Sequence, residues 1–200
     1  MLKLDDYKIF FVVLGLMTIL LFASPTLALV FRLPGGERFS ELWILGPNHM
    51  AENYVFDVNE GETHLVYVGI GNHMGSSSYY VLYVKLRNQT EPLPNATLGT
   101  PSPLQPLFEY RVFLQDGKNW EAPLNFSLSN IVFSGNQSLV ENLTINNTTF
   151  RVDKAATNDP ANNGYYYQLL IELWIYNQES DQIEFHNRFV TLWLNMTKGS

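Results

Sequence analysis

Hydrophobic and polar positions alternate with a period of two along most of the chain. Tyr79 to Arg87 (YYVLYVKLR) puts Leu82, Val84 and Leu86 on one side and Lys85 and Arg87 on the other. Tyr165 to Asn177 groups Tyr167, Leu169, Ile171, Leu173 and Ile175, and Phe189 to Met196 groups Val190, Leu192, Leu194 and Met196 against Thr191, Trp193 and Asn195. Successive side chains of a strand face opposite ways, so each run reads as a strand with one buried face. Shorter runs rich in aromatic and β-branched residues predict strands at Glu41–Leu45, Tyr54–Val58, His64–Ile70, Glu109–Leu114, Leu139–Ile145 and Thr149–Val152, and two short pieces within Asn125–Phe133. Turn chemistry separates them at Asn59-Glu60-Gly61, Gly71-Asn72, Asp116-Gly117, Ser134-Gly135-Asn136 and Asn162-Asn163-Gly164. The expected fold is all-β, an immunoglobulin-like two-sheet β-sandwich. Five of the ten prolines fall between Gln89 and Phe108, which therefore reads as a long surface loop.

The N-terminal segment breaks this pattern. Ile9 to Phe31 holds no charge over 23 positions. As a helix it would reach about 35 Å, enough for a hydrocarbon core of about 30 Å. Lys3 and Lys8 precede it, and a basic N-terminal side stays inside. This predicts a cytoplasmic N-terminus (residues 1–8), one transmembrane signal-anchor helix (9–31) and an extracellular domain (32–200). A cleaved signal peptide is the alternative, with Thr26-Leu27-Ala28 as the small-residue site.

Composition supports export. The net charge is −7 with only 16% charged residues, which disfavours nucleic acid as a partner. The absence of cysteine excludes disulfides and thiolate chemistry. Asn-x-Ser/Thr sequons begin at Asn88, Asn95, Asn125, Asn136, Asn142, Asn146, Asn147 and Asn195, where chance alone gives about two. The expected surface is N-glycosylated.

Catalytic motifs are missing: there is no GxSxG, HExxH or phosphate-binding loop, and no cofactor is implied. Glu172 and Glu184 read as solvated strand charges. Asn-His-Met occurs twice, at 48–50 and 72–74, each at a strand end. Imidazole and thioether suit copper, so His49, Met50, His73 and Met74, joined by His64 and His186 if the sheets align, would form a metal site if one sheet edge gathered them. Structural turns are the favoured reading. Tyr79-Tyr80, Tyr165-Tyr166-Tyr167, Trp174 and Trp193 would offer a platform for sugar rings or a protein, since alternate members must face outward.

Several segments resemble the archaeal domain of unknown function numbered 1616. They are Phe39 to Pro47 (FSELWILGP), Ala51 to Tyr54 (AENY), Gly61 to Val68 leading into Gly71-Asn72-His73, and the closing Phe189 to Asn195 (FVTLWLN). The resemblance spans Glu37 to Met196. It implies an exported β-sandwich of an archaeal membrane protein and no assigned activity. The expected function is thus binding or structural, at the membrane, with envelope proteins or glycans as partners. The alternatives are a surface-filament subunit donating a strand from Thr26 to Leu33 (TLALVFRL), and a copper-binding exterior module.

Overall fold

Twenty-seven residues, Leu4–Val30, form helix α1. The computed structural model describes residues 4–30, 37–162 and 164–197, and α1 belongs to a unit separate from the rest (Met1–Arg38 against Phe39–Ser200). Its described side chains, Tyr7 to Leu20 and Phe22, are exposed, and they are apolar at the consecutive positions Ile9, Phe10, Phe11, Val12, Val13 and Leu14. Among the described residues no helix is long and apolar enough to cross a membrane. Thr26 to Val30, expected as a donated strand in one alternative, are helical here, and residues 31–33 lie outside the described residues.

Ten strands follow among the described residues: β1 Phe39–Leu45, β2 Asp57–Val58, β3 His64–His73, β4 Ser78–Asn88, β5 Phe108–Leu114, β6 Asn119–Ser134, β7 Gln137–Ile145, β8 Thr148–Thr157, β9 Tyr165–Asn177 and β10 Gln182–Met196. They make two five-stranded sheets, β1-β3-β6-β7-β8 and β2-β10-β9-β4-β5. Every pairing is antiparallel except β2 with β10, which is parallel. The inner faces share one core. Val66, Val68, Ile70, Leu124, Phe126 and Leu128 of the first sheet meet Leu82, Val84, Leu86, Leu169, Ile171 and Leu173 of the second. The period of two read from the sequence produces this core directly.

Four local features depart from the sequence expectation. Gly71-Asn72 is not a turn; β3 runs through it to His73, and Asn72 is fully buried. Asn72 instead caps the next bend: its Oδ1 accepts from Met74 N, and its Nδ2 donates to Ser76 O and Leu114 O. The strand expected at Tyr54–Val58 shrinks to Asp57–Val58. The two pieces within Asn125–Phe133 are one strand, β6, kinked at Asn130, whose φ is 56°. The closing strand begins at Gln182 rather than Phe189, because a bulge between Phe185 and Arg188 breaks its alternation.

The proline-rich segment covers part of the outer face of the second sheet. Lys85 and Arg87 of β4 and Gln168 and Glu172 of β9 are all at most 5% exposed although they face away from the core. Both faces of β4 and β9 are therefore buried, which is uncommon for antiparallel strands.

Candidate functional site

Glu172 was expected to be a solvated strand charge. It is instead fully buried and forms an ion pair with Lys85, Nζ to Oε2 2.8 Å. Lys85 Nζ also donates to Ser102 O (2.9 Å), while Ser102 N donates to Glu172 Oε1 (2.8 Å) and Trp174 Nε1 to Glu172 Oε2 (3.0 Å). A buried pair offsets its desolvation only when further hydrogen bonds serve its charges, and here the Ser102 backbone serves both and Trp174 serves Glu172. Sequence periodicity put Lys85 and Glu172 on the outer face correctly. It could not show that the loop returns to cover them. Glu184 is exposed as expected, and hydrogen bonds from Ser180 and Asn177 hold its carboxyl below the usual range.

The start of the loop is fastened as firmly. Arg87 donates through Nε to Glu91 O (2.9 Å) and through Nη2 to Gln89 O (3.2 Å), and through Nη1 to Gln168. Lys154 of β8 pairs with Glu91 at 2.6 Å, and Asn88 Nδ2 donates to Ala155 O at 2.8 Å. These contacts place Gln89 at the rim of an open groove.

That groove, of about 340 Å³, is lined by Phe56, Gln89, Asp159, Asn162, Tyr166 and Trp193. Register explains its floor. Tyr166 pairs with Asn195 and Trp193 with Gln168, so Tyr166 and Trp193 are diagonal neighbours on the outer face. Their rings meet edge to face at 6.3 Å, and Phe56 lies 6.0 Å from Tyr166 on the other side. Phe56 is 47% and Trp193 45% exposed. The β8–β9 loop forms the polar wall. Asp159 Oδ1 accepts from Ala161 N (2.9 Å) and Oδ2 from Asn162 Nδ2 (2.8 Å), and these bonds hold the carboxyl below its usual range. Tyr166 OH donates to Asn162 O (3.0 Å), which fixes the ring. A Cβ at Gly164 would lie 2.8 Å from that ring and 2.1 Å from Asn195 Oδ1, so glycine is what lets the loop close.

The aromatic residues singled out in the sequence thus divide. Tyr166 and Trp193 form the groove; Tyr80 and Tyr167 are fully buried; Trp174 packs edge to face on Tyr83 at 5.3 Å. Phe56 was missed: it fell within the strand expected at Tyr54–Val58, where three apolar residues in a row give no sign of which one is exposed. The buried tyrosines join the sheets, Tyr80 OH to Ser40 Oγ and Tyr167 OH to Ser138 Oγ, each at 2.7 Å. Burial pushes the Tyr167 hydroxyl up to about 12, so it remains a donor.

The two Asn-His-Met copies do not meet. His73 pairs with Phe39 at one end of the β1–β3 ladder, whereas His49 stacks at 3.8 Å on Tyr67, whose partner Leu45 ends the other. His73 lies six positions along the strand from Tyr67, about 20 Å. His49 Nδ1 contacts Glu121 Oε1 at 2.5 Å, Met50 is exposed, and Met74 is half-buried. His64 lies by Phe126, its rings 5.6 Å apart. Among the described residues no group of three or more His, Asp or Glu could hold a metal ion.

The sequons also divide. Asn95, Asn125, Asn136 and Asn147 are exposed, and Asn142 is half-buried at a bulge in β7. The attachment nitrogen is engaged in three others: Asn88 as above, Asn146 to Tyr110 OH (2.8 Å), and the buried Asn195 to Asp57 Oδ1 (2.8 Å).

The chain belongs to the DUF1616 family, described as a domain of unknown function, which it matches over residues 33–175. The match stops before β10, so the resemblance at Phe189 to Asn195 lies outside it. No curated protein matches the chain. Similar solved structures include a mutant β-glucosidase from Listeria innocua in complex with laminaribiose (10% identity, TM-score 0.41). The same organism's β-glucosidase with isofagomine is another (11% identity, TM-score 0.40). Each comparison covers 80% of this chain and 16% of the other. Likenesses of this size carry no argument about activity.

One titratable group bears on stability. The β10 bulge turns His186 inward, where its Nε2 is 3.0 Å from Ser40 Oγ. Tyr80 OH donates to Asn72 Oδ1 at 3.1 Å, so Ser40 donates to Tyr80 and accepts from a neutral His186. Burial, with Arg188 nearby, pushes the imidazole below its usual range. A base depressed in the folded state contributes stability that is intact above its unfolded pKa and declines as pH falls below it. Denaturation midpoints should therefore drop between pH 7.5 and 5.5, and His186→Gln, which keeps a donor for Ser40, should lessen the drop. An undiminished drop in that variant would exclude His186 as the source.

Proposed function

We propose that this chain is an anchored, exported binding module of the archaeal cell envelope, without catalytic activity. The observation that carries the reading is the open groove in which Phe56, Tyr166 and Trp193 gather their rings beside the fixed polar groups of Asp159, Asn162 and Gln89. Exposed apolar clusters of this kind mark contact surfaces.

Helix α1 serves as the signal-anchor in this reading. Apolar side chains exposed on consecutive positions need an apolar surrounding, and the lysines before them favour an inside N-terminus. The sandwich is read as immunoglobulin-like. Central strands β3 and β6 oppose β4, β9 and β10 as strands B and E oppose C, F and G in that fold. It departs from the fold in placing β7 and β8 after β6 at the edge, where strand D would precede. Asn95, Asn125, Asn136 and Asn147 are the sequons whose exposure suits glycosylation.

In intact cells, external protease should digest the domain while a carbonate wash leaves α1 in the membrane. Peptides from that digest should carry hexose at exposed sequons and none at Asn195. Release by carbonate, or uniformly bare sequons, would contradict the corresponding part. Full-length chain in nanodiscs should co-sediment with isolated native envelope, and Phe56→Ala with Trp193→Ala should reduce this at least tenfold at an unchanged melting temperature. Equal retention would contradict a binding role for the groove.

A further inference from the structure

We infer that the groove binds a neutral saccharide, with a pyranose ring seated against Trp193 and Tyr166 and its hydroxyls directed to Asp159, Asn162 and Gln89. This rests on the reading of the groove as a binding site and specifies what it takes. Three properties of the lining select the ligand.

The first is the combination of rings. Trp193 and Tyr166 stand nearly perpendicular, with an interplanar angle of 88°. They provide a floor and a wall rather than a closed slot. A pyranose presents an apolar C–H face of matching width, and the electron-rich faces of aromatic rings attract such hydrogens. The volume, about 340 Å³, lies within the range of roughly 300–1,000 Å³ usual for small-ligand sites.

The second is an excess of acceptors. Asp159 accepts from the Asn162 side chain and from the backbone of Ala161 and Asn162, and a carboxylate can accept about four. Asn162 uses one of its two amide N–H donors on Asp159 and Gln89 one of its own on Thr157 O (3.3 Å), while Asn162 Oδ1 and Gln89 Oε1 accept no hydrogen bond among the described residues, so acceptors outnumber the donors left over. A ligand satisfying this wall must bring hydrogen-bond donors beside an apolar face, and vicinal hydroxyls do. A quaternary ammonium would suit three aromatic rings but brings no donor, so the acceptors would be desolvated unpaired.

The third is charge. Asp159 is held ionised by its neighbours, and the chain carries −7 overall. Uronate or sulfated sugars would be repelled at the wall, and like-charge contact is an effective means of rejection. The acidic balance therefore favours uncharged sugars.

The positioning is built in. Gly164 and the Tyr166–Asn162 bond fix one ring, and Gln89 is held by Arg87 through its carbonyl. Little ordering remains to be done on binding, which favours affinity in a small site.

The test uses the full-length chain in nanodiscs, since maltoside detergents present a sugar headgroup. Trp fluorescence and calorimetry would follow hexasaccharides of glucose, mannose and N-acetylglucosamine, a galacturonate hexamer, and tetramethylammonium. At least one neutral hexasaccharide should bind saturably with a Kd of order 0.1–1 mM. Trp193→Ala or Tyr166→Ala should weaken it at least tenfold, and Asp159→Ala severalfold, with the melting temperature within a few degrees of the parent. Galacturonate should bind more weakly than any neutral ligand that binds. Saturable tetramethylammonium binding lost in Trp193→Ala, with no neutral sugar binding, would overturn the saccharide and leave the groove a binding site. Neutral sugar binding unchanged in both aromatic variants would overturn the groove itself. Absence of binding by every neutral hexasaccharide to about 10 mM would overturn the inference.

Discussion

The buried Lys85–Glu172 pair is the constraint on which the outer face of the second sheet depends. Neither charge reaches water, and each is completed by the backbone of Ser102. Removing one partner of such a pair costs about 3–5 kcal/mol, because the other charge is left buried alone. That is a large part of an ordinary domain stability of about 5–15 kcal/mol. The proline-rich loop is thus as integral to the fold as a strand. Its prolines also restrict the unfolded chain and reduce what ordering costs.

The same face links the ion pair to the groove. Arg87, Gln168 and Trp193 occupy one register row across β4, β9 and β10. Arg87 bonds to Gln168 within the row and to the carbonyls of Gln89 and Glu91 above it. Gln89 and Trp193 both line the groove. A side chain whose formal role is to hold a loop therefore also sets one edge of the binding surface. Such a surface is preformed, which suits recognition of a ligand with few contacts.

Much of the core was legible in the sequence, because a half-buried strand writes its inner face at every second position. Leu82, Val84 and Leu86 and the Tyr167-to-Leu173 set fall where alternation puts them. What alternation does not encode is what covers the other face. Glu172 looked solvated, and the Gln89–Phe108 loop looked like free surface, for that single reason. Bulges hid more: His186 lies inside one, so alternation marked only the second half of β10, although Glu184 and His186 read as strand residues. Asn195 shows a further limit. It fits a sequon and an outward position, yet Asp57 and the Gly164 loop enclose it. The groove was half legible, with Tyr166 and Trp193 on alternating runs and Phe56 on none.

Amide hydrogen exchange at Ser102, with the loop around it, addresses the central claim most directly. If the ion pair fixes the loop, the Ser102 amide exchanges as slowly as the amides of β9 in the parent chain, and Lys85→Met accelerates it by orders of magnitude while β3 and β6 remain protected. A Ser102 amide exchanging in the parent at the rate of an exposed loop would contradict the account.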